Sequence, residues 1–210
     1  MSSGTDAKRV APAAERNKDA ILAVLHEVLP QEALEVLEVA AGTGQHAVHF
    51  AAGLPRATWW PCELEAENLA SIEAYRLEAG LANLMPAQHL DVTAQGWAAS
   101  IEPLQVDFIL CCNMIHIAPW QACLGLVEGA GAKLKPGGAL MLYGPFRRAG
   151  VETAPSNEAF DASLKARNPA WGVRRLEDVA KAARPHGLEL RQVIEMPANN
   201  VSVVFGKAGS

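Results

Sequence analysis

No two cysteines stand at Cys-x-x-Cys spacing. The four thiols, at positions 62, 111, 112 and 123, therefore match neither a zinc site nor a disulfide framework, and reduced, packing cysteines are expected. His46 and His49 lie three apart, but no further ligand cluster is placed to complete a coordination sphere, so no metal is expected. Also missing is any apolar run near the ~20 residues that a bilayer crossing needs. The opening MSSGTDAKRVAPAAERNK lacks the apolar core of a signal peptide, and a cytoplasmic protein without membrane attachment is expected. Positive charge is short as well. The net charge of −5 gives no general field for nucleic acid, and the pairs Arg147-Arg148 and Arg174-Arg175 read as solvated surface arginines.

What is present suffices for a core: half of the 210 residues are hydrophobic, enough for a single domain over residues 1–210. After a polar arm, residues 1–17, helical spacing of Ile21, Leu22, Leu25 and Val28 predicts a helix over 17–28, ended by Pro30. EVLEVA then reads as a strand, followed by a glycine turn and a helix to about Ala52. TWWPCEL predicts a second strand, 65–79 a second helix stopped at Gly80, and MPAQHLDV a weak third strand. The uninterrupted apolar run VDFILCCN predicts a strand covered on both faces. A helix over about 120–134, a Pro136-Gly137-Gly138 turn and a strand over 139–143 follow. LELRQVIEM and VSVVFGK, joined by PANN, predict a terminal hairpin. The expected fold is α/β: a doubly wound, mainly parallel seven-stranded sheet with a C-terminal antiparallel hairpin. Residues 144–175 are too long for an ordinary turn and follow the fifth strand at its carboxyl end, where they are expected to cap the site.

The turn itself, Gly42-x-Gly44-x-x-Ala47, fits a dinucleotide fingerprint. Glycine lets the backbone approach a ligand, and the helix that follows offers free N–H groups. Glu38, four residues ahead of Gly42, argues against phosphate: a carboxylate there repels a pyrophosphate but can pair with an ammonium group. S-adenosylmethionine carries an ammonium and a sulfonium and no phosphate. Glu63, at the end of the second strand, can accept from both ribose hydroxyls, whereas Glu65 reads as the first turn of the next helix. Asp91 can accept from an adenine amino group, with Val92 against the ring; taken alone, it reads equally as a turn aspartate.

Glu38, Gly42-Gly44, Glu63 and Asp91 follow one another at the ends of strands one to three, the order in which class I S-adenosylmethionine-dependent methyltransferases surround their cofactor. The chain resembles that class from residue 36 to 207. More narrowly, APAAERNKDAIL, GTGQHAVHFA, NMIHIAPW, YGPF and TAPSNEAFDASLKARNPAWGVR resemble the methyltransferase-like protein 26 family, also called domain of unknown function 938. The resemblance implies the Rossmann-like methyltransferase fold, S-adenosylmethionine as cofactor and methyl transfer, without a settled substrate; an aromatic-lined pocket built with the inserted segment favours a small-molecule acceptor. The alternatives are a catalytically silent cofactor-binding protein on the same fold and a nicotinamide-dependent oxidoreductase. It departs from the common pattern at Ala40, where glycine is usual; a methyl group is tolerated there if φ is negative. Leu64 beside Glu63 joins the expected cofactor contacts, as do His46 near the turn and Arg16, suited to a carboxylate. Asn17, with Arg16, is expected either to fold over the site or to serve as a helix cap. In CCNMIHIAPW, Asn113 is expected to orient cofactor or acceptor, and His116 to act as general base. No acidic-Pro-Pro-aromatic motif is present. Trp120, Tyr143, Phe146, Asn157, Phe160 and Trp171, together with His116, are the candidate substrate contacts.

Overall fold

A computed structural model describes residues 7–209; the first six residues of the expected N-terminal arm lie outside the described residues. Seven strands, β1 (Leu34–Val39), β2 (Ala57–Glu63), β3 (Gln88–His89), β4 (Val106–Cys112), β5 (Leu134–Gly144), β6 (Leu188–Met196) and β7 (Asn200–Lys207), pair in the order β3-β2-β1-β4-β5-β7-β6. The pairs from β3 to β5 are parallel, and β7 runs antiparallel to both β5 and β6. The expected sheet and its terminal hairpin are therefore present. Because β1 turns out to β2 on one side while β4 continues on the other, the sheet reverses its winding between β1 and β4, which opens a crevice at their carboxyl ends.

Alternation along each strand sends side chains to two covered faces. On one face, Val36, Trp59, Phe108 and Met141 pack with Ile21 and Leu25 of α1 (Pro12–Val28) and Phe50 of α2 (Gln45–Gly53). On the other, Leu37, Val39, Ile109 and Cys111 meet Leu126 and Ala130 of α4 (Trp120–Lys133) and Val179 of α6 (Leu176–Ala183). All of these are essentially inaccessible to water, and each large apolar side chain so buried contributes roughly 1.5–3 kcal/mol. The remaining helices are α3 (Ala66–Ala79) and α5 (Pro155–Arg167).

Several boundaries differ from the sequence reading. Helix α1 starts at Pro12 instead of residue 17, because proline at the first helical position has a preset φ and needs no N–H partner. Arg16 and Asn17 consequently project from a helix, and Asn17 is not its cap. The segment 144–175, for which no helix was assigned from the sequence, contains α5, a full helix. Strand β5 begins at Leu134: after Val106 pairs with Leu134, the register jumps to Phe108 with Ala139, so residues 135–138 form a bulge that contains Pro136 and Gly137. Strand β3 keeps only two residues.

Ala40 has φ +56°. The negative φ on which its methyl group was expected to depend is not what the turn adopts, and left-handed backbone costs an L-residue about 1–2 kcal/mol. Gly42 and Gly44 also have positive φ, but a Cβ on Gly42 would meet nothing within 4 Å, whereas one on Gly44 would lie 2.8 Å from the Ile72 Cα atom. Gly44 is thus required for the close packing of α2 on α3. Two substitutions should therefore shift stability in opposite directions. Ala40→Gly should stabilise by about 1 kcal/mol, and Gly44→Ala should destabilise by about 2 kcal/mol, both read from urea unfolding; coincident midpoints would show that the turn imposes no such constraint.

Candidate functional site

The crevice between β1 and β4 holds a cavity of about 420 Å³. Its walls come from the strand ends in sequence: Val39, Ala40 and Gly42 after β1, Glu63 and Leu64 after β2, Asp91 and Val92 after β3, Cys112 and Met114 after β4. Glu63 is nearly buried and its carboxylate is held by backbone donors. The Gly42 N–H donates to Oε2 at 2.7 Å, while the Leu64 and Glu65 N–H groups donate to Oε1 at 2.8 and 3.2 Å. Both lone-pair sites of Oε1 are thereby used, whereas Oε2, with one amide, retains accepting capacity for a ligand hydroxyl. Asp91 accepts from the Thr93 N–H at 2.8 Å and from the Thr93 hydroxyl at 2.7 Å, both at Oδ1. Oδ2 takes no protein hydrogen bond among the described residues, and the bonds to Thr93 lower the carboxyl's pKa. The turn role and a ligand role are therefore compatible at Asp91.

A second, larger cavity of about 850 Å³ adjoins the first, with Ile117 lining both. We refer to them as the cleft and the chamber. Arg16 and Asn17 of α1, Asn113 beyond β4, Tyr143 of β5, Ser156, Asn157 and Phe160 of α5, and Ala198 and Asn200 of the β6–β7 connection line the chamber. The Asn157 amide donates to the Asn199 carbonyl at 2.8 Å, and the Asn199 amide to the Ser156 hydroxyl at 3.0 Å, which fastens α5 to that connection. Among the described residues, the non-glycine positions with positive φ are Ala40, Asn113, Ala198 and Asn199. Ala40 lines the cleft, Asn113 and Ala198 line the chamber, and Asn199 anchors its wall. Backbone strain of this kind gathers where a fold over-determines a site. The asparagines of PANN carried that signal in the sequence, since asparagine tolerates the left-handed region better than most residues; Ile117 and Ser156 carried none.

Several expected contacts lie elsewhere. Glu38 does not line the cleft: it is buried and accepts from the Trp59 indole N–H at 2.7 Å. Burial raises its pKa to about 8, with Glu63 adding to the rise and the Trp59 bond opposing it. His46 faces α1, where Nε2 lies 2.7 Å from Asn17 Oδ1 and the ring stacks on Phe50; burial, then the nearby His49, lowers its pKa to about 4. Gly44 serves helix packing, as described above. Arg16 lines the chamber and not the cleft.

His116 is the largest correction. Its side chain has no exposure, Nδ1 accepts the Arg174 N–H at 3.2 Å, and its carbonyl accepts the Gly172 N–H at 2.9 Å. Phe146 packs edge-on against the ring at 4.8 Å. Burial, followed by the Arg174 cation, lowers its pKa to about 3. The lone pair a general base would use is already engaged, so His116 and Phe146 fasten residues 144–175 to the turn after β4, and neither lines the cleft or the chamber. Trp120 lies under the Arg174 guanidinium and Trp171 under that of Arg167, so neither lines the chamber. Asn113, Tyr143, Asn157 and Phe160 are the expected acceptor-side residues that do.

No helix among the described residues is long and apolar enough to cross a membrane, and no group of three or more His, Cys, Asp or Glu gathers there in a metal-binding arrangement. The family model for a protein of unknown function, DUF938, matches residues 8–207, and the chain belongs to that family. The same fold occurs in an O-methyltransferase family protein from Burkholderia thailandensis, with a TM-score of 0.74 at 14% identity over 94% of this chain and 60% of that one. It also occurs in the mitomycin 7-O-methyltransferase MmcR, with a TM-score of 0.78 at 14% identity over 93% of this chain and 54% of the other. An O-methyltransferase family 2 protein from Planctomyces limnophilus, solved with apigenin, gives 0.71 at 18% identity over 91% and 62%. The chain thus spans less than two thirds of the length of each.

Because the Glu38 pKa is raised on folding, its contribution to stability is complete below the unfolded value of 4.5, declines as pH rises and is gone above about 8. Glu38→Gln keeps an acceptor for Trp59 and has nothing to titrate. Its stability relative to the parent should therefore climb between pH 5 and pH 9, by up to about 1.4 kcal/mol per pH unit. Parallel pH profiles from urea unfolding would mean that Glu38 is not the buried acid described here.

Proposed function

We propose that this protein is an S-adenosylmethionine-dependent methyltransferase acting on a small-molecule acceptor, in keeping with its resemblance to the methyltransferase-like protein 26 group. One observation carries the reading. In the turn where a dinucleotide enzyme presents free amides to a pyrophosphate, the Gly42 N–H is already donated to the Glu63 carboxylate. The start of α2 is covered as well: the Gln45 side chain accepts the Ala11 N–H at 2.6 Å and donates to Glu15. With the Gly42 amide engaged and the Glu63 carboxylate standing where a phosphate would sit, the turn disfavours phosphate and suits a neutral nucleoside with cationic substituents.

The donor set fits such a ligand. Glu63 would accept from the ribose diol through Oε2, the oxygen with a free site, and Asp91 Oδ2 from an exocyclic amine. Leu64, Val92 and Met114 would supply apolar walls for a planar base. When bound, S-adenosylmethionine supplies a methyl group made electrophilic by its sulfonium. The protein's own part is to hold the acceptor in line and to exclude water, for which the chamber beyond Ile117 is the available space. Walls from α1, α5 and the β6–β7 connection favour a small acceptor over a macromolecule. Asn113, which lines the chamber, would orient it.

Calorimetry tests this directly. S-adenosylhomocysteine should bind the parent protein, Glu63→Gln should weaken it by about 10- to 100-fold, and reduced nicotinamide dinucleotide should give no heat of binding. Absence of any binding by S-adenosylmethionine and S-adenosylhomocysteine would remove the reading.

A further inference from the structure

We propose that the chamber accepts a small anionic molecule, its carboxylate or phosphate against Arg16, whose acceptor atom is already nucleophilic without help from a protein base. This rests on the methyltransferase reading and adds the substrate class to it. The charge pattern of the walls carries the first half. Arg16 is the one charged side chain among the lining residues; Asn17, Asn113, Tyr143, Ser156, Asn157 and Asn200 are neutral hydrogen-bonding groups, and no carboxylate joins them. Nor is Arg16 neutralised from its own helix. Glu15 is engaged by Lys18 and Gln45, Asp19 lies 2.9 Å from His49, and Arg16 makes no ion pair among the described residues. Arg16 is exposed, at the rim of a cavity free of carboxylates and rich in amides, and a guanidinium there favours an anion and disfavours a cationic ligand.

The second half follows from what the lining cannot do. Its ionisable members are Arg16, always protonated, and Tyr143, whose phenol burial keeps protonated at neutral pH against opposing hydrogen bonds from Asn17 and Asn200. Two histidines lie behind the walls: His116 is fully buried with Nδ1 engaged, and His46 is buried with Nε2 against the Asn17 side chain. No wall residue can take a proton from an acceptor at neutral pH. The acceptor must therefore arrive with a free lone pair, as a thiolate, an unprotonated amine, a ring nitrogen or an ionised phenol. Its lone pair forms the new bond to the methyl carbon while the carbon–sulfur bond breaks and leaves its electron pair on sulfur. A thiol, phenol or ammonium has given its proton to water beforehand, whereas a methylated primary or secondary amine forms as a cation and gives its proton to water afterwards.

A matched pair of probes tests this: 4-mercaptobenzoate and 4-mercaptobenzamide, which differ in the anionic group and share a thiol that ionises readily. Binding to protein saturated with S-adenosylhomocysteine is measured by calorimetry, and label transfer from methyl-labelled S-adenosylmethionine is measured in parallel. The acid should bind about tenfold or more tightly than the amide and take label on sulfur. Arg16→Met should abolish that preference and leave S-adenosylhomocysteine affinity unchanged, whereas Phe160→Ala should weaken both probes alike. Equal binding of acid and amide, no label on the acid, or a loss of S-adenosylhomocysteine affinity in Arg16→Met would overturn the proposal. The last result would give Arg16 to the cofactor. Failure of the methyltransferase reading is separate, because the parent protein would then not bind S-adenosylhomocysteine at all.

Discussion

The Glu63 carboxylate ties the end of β2 to the turn after β1 through the Gly42 amide, and binds the start of its own following segment through Leu64 and Glu65. A nearly buried carboxylate is tolerable only where hydrogen bonds replace lost water, and three backbone donors do so here. The consequences spread outward. The bond to Gly42 helps hold the glycine turn, in which Ala40 is left-handed, and it occupies an amide that would otherwise face a phosphate. The turn is supported from the other side too: the Ser71 hydroxyl donates to the Thr43 carbonyl at 2.8 Å and accepts the Arg9 N–H at 2.8 Å, so the segment before α1 braces the same turn.

Around this fixed point the molecule divides its labour by cavity. The cleft is edged by carboxylates at successive strand ends, and the chamber by amides and one guanidinium. Ile117 stands at their boundary, on the short segment whose conformation is set by Asn113 on one side and by the His116 anchor on the other. The buried histidine is thus important without touching a ligand: Arg174 donates from its backbone to the His116 ring and from its side chain to the Ile115 and Ala118 carbonyls at 2.9 and 2.7 Å. This clamps the segment to the cap that follows β5.

The sheet was legible in the sequence because parallel strands covered on both faces must be continuously apolar, as VDFILCC is, and because PANN is a turn with little competition. Glu63, Asp91, Leu64 and Val92 were legible for a related reason: in a doubly wound sheet, strand ends are cavity edges. Glu38 and His116 were misplaced because side-chain facing is decided by tertiary packing. Glu38 lies one strand position from Val39, which lines the cleft, and period-two alternation sends the two to opposite faces. For His116, sequence could not show that a backbone amide 58 residues away would occupy its ring nitrogen. The early start of α1 was announced by Pro12 but masked by the polar run ERNKD that follows its first residues, and α5 was hidden because its exposed sequence has few apolar residues at helical spacing.

The central claim is that a nucleoside sits at the Glu63 and Asp91 carboxylates with its reactive end directed toward Ile117. A crystal structure of the protein with S-adenosylhomocysteine tests it most directly. The account predicts ribose hydroxyls on Glu63, the adenine edge at Asp91 and Val92, and the thioether sulfur at the boundary between cleft and chamber. Adenosine lodged in the chamber, or a carboxylate–ribose contact made by a residue other than Glu63, would contradict it.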